Sequence, residues 1–180
     1  ISSLLNLQRN HVDNVYAQNL LNDSISRIQS MSLVHERLYK SGDFARINFK
    51  DYIDDLTGEL KNTFTMPNKD ISINTRIENI KLTIEKAVPC GLIINELVSN
   101  AIKHAFLHTN RGFIEIRFFA TKNKTYIISI HDNGSGFNRD KITENSGTLG
   151  FQLVNSLTRQ LGGTLDVDFN EGTTIQVEFS

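Results

Sequence analysis

Residues 95–104 read Asn-Glu-Leu-Val-Ser-Asn-Ala-Ile-Lys-His, and the spacing inside this stretch decides how the rest of the chain is read. Glu96, Asn100 and Lys103 stand four and three apart, which places them on one face of a helix with His104 beside them. Leu92, Val98 and Ile102 fall on the opposite face, predicting a helix laid against a sheet. An amide between a carboxylate and an ammonium suits a metal-bound phosphate. It offers hard oxygen ligands to Mg²⁺ and a positive point charge to phosphoryl oxygens. A plain solvated face has the same pattern, so this stretch alone does not decide function.

Working outward, Pro89 is expected to open this helix, since proline is tolerated in a first turn, and the helix runs to about Ala105. Downstream, 112–119 and 125–132 alternate as strands around a turn at Lys122-Asn123-Lys124. A helix over 149–161 ends at Gly162-Gly163, and strands follow at 164–169 and 173–179. Upstream, a helix over 49–64 stops at Pro67-Asn68, with strands at 71–77 and near 81–84. The first forty residues contain neither Pro nor Gly. Leu21, Ile25, Ile28, Ser32, His35 and Leu38 recur at helical spacing, predicting a long helix from Asn14 to Ser41-Gly42. With 1–7 as the end of another helix, this makes a helical hairpin that packs against its own domain or a second copy. The expected class is α+β: a two-layer α/β sandwich, mixed sheet with helices on one face, preceded by a helical hairpin fragment. The division falls into 1–44 and 45–180.

Composition narrows the function. Apolar residues are 39% of 180, an ordinary globular share. Nineteen basic against twenty acidic residues leave a net charge of −1, so no field recruits nucleic acid or an anionic membrane surface. No apolar run nears the roughly 20 residues of a membrane span. The single cysteine, Cys90, lies in an apolar stretch, which predicts a buried thiol in a reducing, cytoplasmic setting. The chain starts at Ile1 without Met and is read as a piece of something longer. There is no Gly-Lys dipeptide for a P-loop, no zinc spacing among one Cys and five His, and no G-x-S-x-G elbow.

Two further places carry chemistry. In Asp132-Asn133-Gly134-Ser135-Gly136, a carboxylate ends an otherwise apolar strand face, which is costly unless a donor meets it. The exocyclic amine of adenine would be such a donor, whereas guanine presents a carbonyl there and would be refused. Gly134 and Gly136 then allow a sharp turn beside a flat ring. Ser146-Gly147-Thr148-Leu149-Gly150-Phe151 is a small-residue turn entering a helix, where free N–H groups can bind phosphate oxygens. Thr173 shares the apolar face of its strand with Ile175, Val177 and Phe179, and can join Asp132 around a base.

The order of these elements resembles the nucleotide-binding domain shared by gyrase, Hsp90, histidine kinases and MutL. The stretches ISSLLNLQ, RIQSMSLVHERLY and AVPCGLIINELVSNAIKHAF closely resemble two-component sensor kinases whose dimerisation hairpin is of the second HisKA type. The resemblance implies Mg-ATP as ligand. Asn100 would bind Mg²⁺, with Glu96 reaching it through water; Lys103 would contact phosphate, His104 would belong to the ATP site, and Asp132 and Thr173 would lie at adenine. Gly134 and Gly136 would flank the base, while Gly147, Thr148, Leu149 and Gly150 form the phosphate turn. Residues 133–147 would be a lid. The γ-phosphoryl would pass to a histidine, then to an aspartate of a response-regulator receiver domain, within a homodimer built on the hairpin. The family's acceptor lies in a His-Arg-x-Lys-Asn-type box upstream of the segment matching Ile1, so it is expected off this chain. His35 is expected to be structural, and His11 matches no motif. The alternatives are an ATPase that uses Glu96 as general base, or a nucleotide-binding and dimerisation module with degenerate catalysis.

Overall fold

A computed structural model describes residues 1–41, 45–63, 69–123, 125–135 and 149–180. Helices α1 (Ser2–Asn10) and α2 (Val15–Ser41) form the N-terminal hairpin. Asn14 caps α2, its Oδ1 accepting the N–H groups of Tyr16 and Ala17 at 2.8 and 3.2 Å. The buried stripe of α2 is rotated from the expected one. Ile25, Ser26, Ser30, Val34 and Leu38 face the rest of the molecule, whereas Ser32 and His35 are exposed. Hydroxyls at 26 and 30 are buried because each has a partner: Ser26 donates to Asn95 Oδ1 at 2.8 Å, and Ser30 meets Tyr52 Oη at 3.0 Å. His35, expected to be structural, is exposed on α2 in the single chain.

Strand β1 (Arg46–Asn48) pairs antiparallel with β3 (Lys81–Thr83). At three residues β1 is too short for its alternation to be read from sequence. Helix α3 (Phe49–Thr63) buries Phe49, Tyr52, Ile53, Leu56 and Leu60. The main sheet runs β2 (Asp70–Ile77), β4 (Arg111–Ala120), β5 (Tyr126–Asp132), β7 (Thr173–Phe179), β6 (Thr164–Asp168). The β2–β4 pair is parallel and the others are antiparallel. Ile73, Ile114, Ile116, Phe118, Ile128, Ile130, Ile175 and Val177 join one core with α3, α4 (Ile84–Asn100) and α5 (Leu149–Gln160). This is the expected two-layer α+β sandwich with a mixed sheet and a preceding hairpin. The ends expected at Phe64, at Ser41-Gly42 and at Lys124 lie wholly or partly outside the described residues.

Helix α4 departs from expectation at both ends. It begins at Ile84 behind Thr83, whose φ of −70° and ψ of 161° are those of an extended residue, so Pro89 lies inside the helix. The proline ring removes one intrahelical hydrogen bond. Packing offsets that loss, because twelve of the seventeen residues of α4 are buried. At its C-terminal end α4 widens into a π-helical turn, Ala101–Ala105, carrying Lys103 and His104.

Gly91 shows how closely α4 is held. A Cβ there would stand 1.8 Å from Tyr52 Oη, the hydroxyl that also donates to the Ser30 carbonyl at 3.2 Å. Gly91→Ala is expected to destabilise the chain by about 1–3 kcal/mol through overpacking, read as a lower urea midpoint at unchanged slope. An unchanged midpoint would mean that Tyr52 can move aside.

Candidate functional site

Burial of α4 on nearly every side leaves its polar residues needing partners, and α2 supplies them. Glu96 is 6% exposed. Arg27 on α2 grips it with both arms of the guanidinium, Nε to Oε1 at 2.7 Å and Nη2 to Oε2 at 2.8 Å. That fork raises the Arg27 pKa above its ordinary value, against the opposing effect of burial. One turn earlier on α2, Asp23 is ion-paired with Lys103. Ser26, between Asp23 and Arg27 on α2, donates to Asn95 in a buried hydrogen bond. Three polar ties thus join α2 to α4 and its π turn, so this face is not a plain solvated one.

The same face lines a cavity of about 800 Å³ between the hairpin and the domain. Glu96, Asn100, Lys103, His104, Leu149 and Gly150 all contribute to its wall, so six of the expected site residues come together there. Arg9, Asp23 and Arg27 form the opposite side. Gly150 sits directly on the Glu96 carboxylate: a Cβ there would stand 2.5 Å from Oε2. The first turn of α5 therefore approaches the acid only because position 150 has no side chain.

Asp132, Gly134 and Thr173 do not line this cavity; they gather at the end of β5. Asp132 and Thr173 are paired across β5 and β7, and are 6% and 3% exposed. Asp132 Oδ1 accepts the Gly134 N–H at 3.0 Å. Burial lifts the Asp132 pKa above the ordinary carboxylate value, opposed by that N–H, by His131 and by the Thr173 hydroxyl. The Thr173 hydroxyl favours the ionised carboxylate by proximity, yet Oγ1 is buried without a hydrogen bond of ordinary geometry. Gly172 makes the pairing possible. Its φ is +116°, and a Cβ would stand 1.9 Å from the Asp132 carbonyl oxygen.

The two groups of residues are tied at the end of the π turn. The Ala105 carbonyl accepts the Ser135 N–H at 2.9 Å, and a Cβ on Gly134 would stand 2.3 Å from that same oxygen. Close approach to the π turn is thus a second reason for glycine at 134. Gly136, Gly147, Thr148 and most of the expected lid lie outside the described residues.

Sequence reasoning missed Asp23, Ser26, Arg27 and Asn95. Asp23 and Arg27 stand four apart with opposite charge, which reads as a pair within one helix. Nothing local announces that their partners are 80 and 69 residues away.

Residues 1–64 match the family profile described as histidine kinase, of the HisKA_2 type. Residues 85–180 match the profile described as histidine kinase-, DNA gyrase B-, and HSP90-like ATPase. The sensor histidine kinase PdtaS of Mycolicibacterium smegmatis is 32% identical over 169 residues, covering 92% of this chain and 33% of that protein. Blue-light-activated histidine kinase 2 of Erythrobacter litoralis is 28% identical over 109 residues, covering 60% of this chain and 32% of that protein. The chain thus spans about a third of the length of these curated relatives. Among solved structures, the histidine kinase domain of the Erythrobacter litoralis EL346 blue-light activated kinase superposes with a TM-score of 0.79 at 22% identity. That match covers 99% of this chain and 93% of the other.

The raised Asp132 pKa has a consequence for stability. The folded chain holds this proton more tightly than the unfolded chain, so folding takes up a proton just above the ordinary carboxylate pKa. Stability from this group falls as pH rises through that interval, and the deficit is constant above the folded pKa. Asp132→Asn keeps an Oδ1 acceptor for Gly134 while removing the buried charge. We predict a higher melting temperature than the parent at pH 7 and a flatter pH dependence in that interval, measured by calorimetry. A lower melting temperature at pH 7 would contradict the assignment.

Proposed function

Since this chain belongs to the histidine kinases, with a HisKA_2-type hairpin joined to the ATPase-like domain shared with DNA gyrase B and HSP90, we propose that it is the ATP-binding catalytic part of a sensor kinase. The observation that carries the reading is the gathering of Glu96, Asn100, Lys103, His104 and Gly150 around one cavity beside a buried Asp132–Thr173 pair. We divide the chain into 1–44, the hairpin, and 45–180, the ATP-binding domain, because β1 at 46–48 pairs into the latter.

The residues fit an adenine nucleotide. Asp132 is a buried acceptor, and the unpartnered Thr173 hydroxyl beside it can bond a base or a water that bridges to one. Among the described residues no group of three or more His, Cys, Asp or Glu is placed to hold a metal. Magnesium would therefore be held by the nucleotide phosphates and the Asn100 amide oxygen, with Glu96 acting through water, which suits an ion that keeps several waters. When bound, it supplies charge neutralisation at the phosphates. The Lys103 ammonium neutralises phosphoryl oxygens, and Gly150 admits α5 close to them. Glu96 is the group able to take the proton of an attacking imidazole. The Arg27 fork takes one acceptor site on each of its oxygens, so in that role Glu96 would take the proton in competition with Arg27.

The acceptor histidine is proposed to lie outside residues 1–180. His11 is exposed, its Nδ1 donating to the Leu7 carbonyl at 2.8 Å, and His35 is exposed on α2. Among the described histidines, His104 is the one that lines the cavity. The phosphoryl group would then pass to an aspartate of a response-regulator receiver domain. Exposed apolar side chains at Leu4, Leu7, Val15 and Tyr16 support a homodimer through the hairpin. Among the described residues no helix is long and apolar enough to cross a membrane. We place this part in the cytoplasm, in keeping with one buried, unpaired cysteine.

Incubation with γ-labelled Mg-ATP, of this chain and of one extended upstream to include the acceptor box, tests the reading. Base-stable, acid-labile label on the extended chain alone is the expected result. Label on neither, with phosphate released instead, would favour an ATPase using Glu96. Asn100→Ala is expected to weaken Mg-ATP binding roughly tenfold or more, about 1.4 kcal/mol, while binding measured without Mg²⁺ changes little. Equal loss with and without the metal would contradict its role.

A further inference from the structure

We infer that α2 is an intramolecular competitor for the triphosphate subsite, with Asp23 occupying the cation that phosphate needs and Arg27 anchoring the helix there. The inference rests on the nucleotide reading above and concerns how that site is controlled. Asp23 and Arg27 are one turn apart on α2, and their partners Lys103 and Glu96 are the two charged side chains of α4 and its π turn that line the cavity. The pairing is crossed: the hairpin acid meets the site's base, and the hairpin base meets the site's acid. Both links are partly withdrawn from water, with side-chain exposures of 18% and 8% for Arg27 and Glu96, and 29% for each of Asp23 and Lys103. The Ser26–Asn95 bond, made from the same stretch of α2, is buried.

A polyphosphate cannot simply join this arrangement. Its oxygens need the Lys103 ammonium, and the Asp23 carboxylate already there is of the same sign as the phosphates. Binding therefore requires Asp23 to leave, and with it the helix that holds Glu96 in the Arg27 fork. Loss of that fork frees the Glu96 oxygens in the same movement. The ligand binds one of two arrangements and shifts the population toward it, losing affinity in proportion to how far the closed one dominates. Adenosine, which has no phosphate, makes no such demand.

The test uses this chain and titrates Mg-ATP, magnesium tripolyphosphate and adenosine into the parent, Asp23→Asn and Arg37→Gln. Arg37 pairs with Asp55 on α3, away from the cavity, and controls for general loosening of the hairpin. Asp23→Asn is expected to bind Mg-ATP and tripolyphosphate about three- to tenfold more tightly, with adenosine unchanged. Mg-ATP is also expected to speed amide exchange across residues 23–30 of the parent. Equal or weaker polyphosphate binding in Asp23→Asn, with the parent binding ATP normally, would overturn the competitor and leave the nucleotide reading standing. A gain shared by Arg37→Gln or by adenosine would also overturn it, as a general loosening. No binding of any of the three ligands by any of the three chains would overturn both readings together.

Discussion

A carboxylate inside a helix enclosed on nearly all sides must have a cation, and the Arg27–Glu96 fork answers that constraint. Helix α4 buries its apolar face on the sheet, Gly91 against Tyr52, and Glu96 against the hairpin and Gly150. Removing Arg27 would leave a largely buried charge without its cation, a larger cost than losing an exposed ion pair. The position of α2 is therefore set by electrostatics as much as by apolar contact. The buried serines of α2 follow from the same closeness, each hydroxyl being matched by Asn95 or Tyr52.

The opposite end of the site obeys a different constraint. Asp132 ends a strand whose inward face is otherwise apolar, where the Gly134 N–H bonds it and the Thr173 backbone and hydroxyl lie close enough to favour its charge. Burial nonetheless outweighs these donors and lifts its pKa. Gly172, with its positive φ, lets β7 start beside Asp132, and Gly134 lets the following turn reach the Ala105 carbonyl. The π turn, Ala101–Ala105, links the two ends, since it carries Lys103 toward the cavity and presents that carbonyl to Ser135.

Much of this was legible in the sequence. Period-two runs at 71–77, 112–119, 125–132 and 173–179 mark strands because the sheet buries one face, and the observed strands match them within a residue at either end. The spacing of Glu96, Asn100 and Lys103 places them on one wall of the cavity. Pro89 misled because a first-turn preference is local, whereas tertiary burial lets a helix keep an interior proline. The stripe of α2 misled because Ile28, Ser32 and His35 fit helical spacing as well as Ser26, Ser30 and Val34 do. The choice between them depends on partners on α3 and α4, distant in sequence. The Asp23 and Arg27 links were illegible for the same reason.

A comparison of ATP with GTP, titrated calorimetrically into this chain in the presence of Mg²⁺, tests the central claim most directly. The two share every phosphate contact and differ where Asp132 would read the base. Binding of ATP with no detectable binding of GTP is predicted, because a buried carboxylate accepts from the adenine amine and faces the guanine carbonyl with like polarity. Equal affinities would contradict the account, since the site would then read phosphate alone and Asp132 would have no part in recognition.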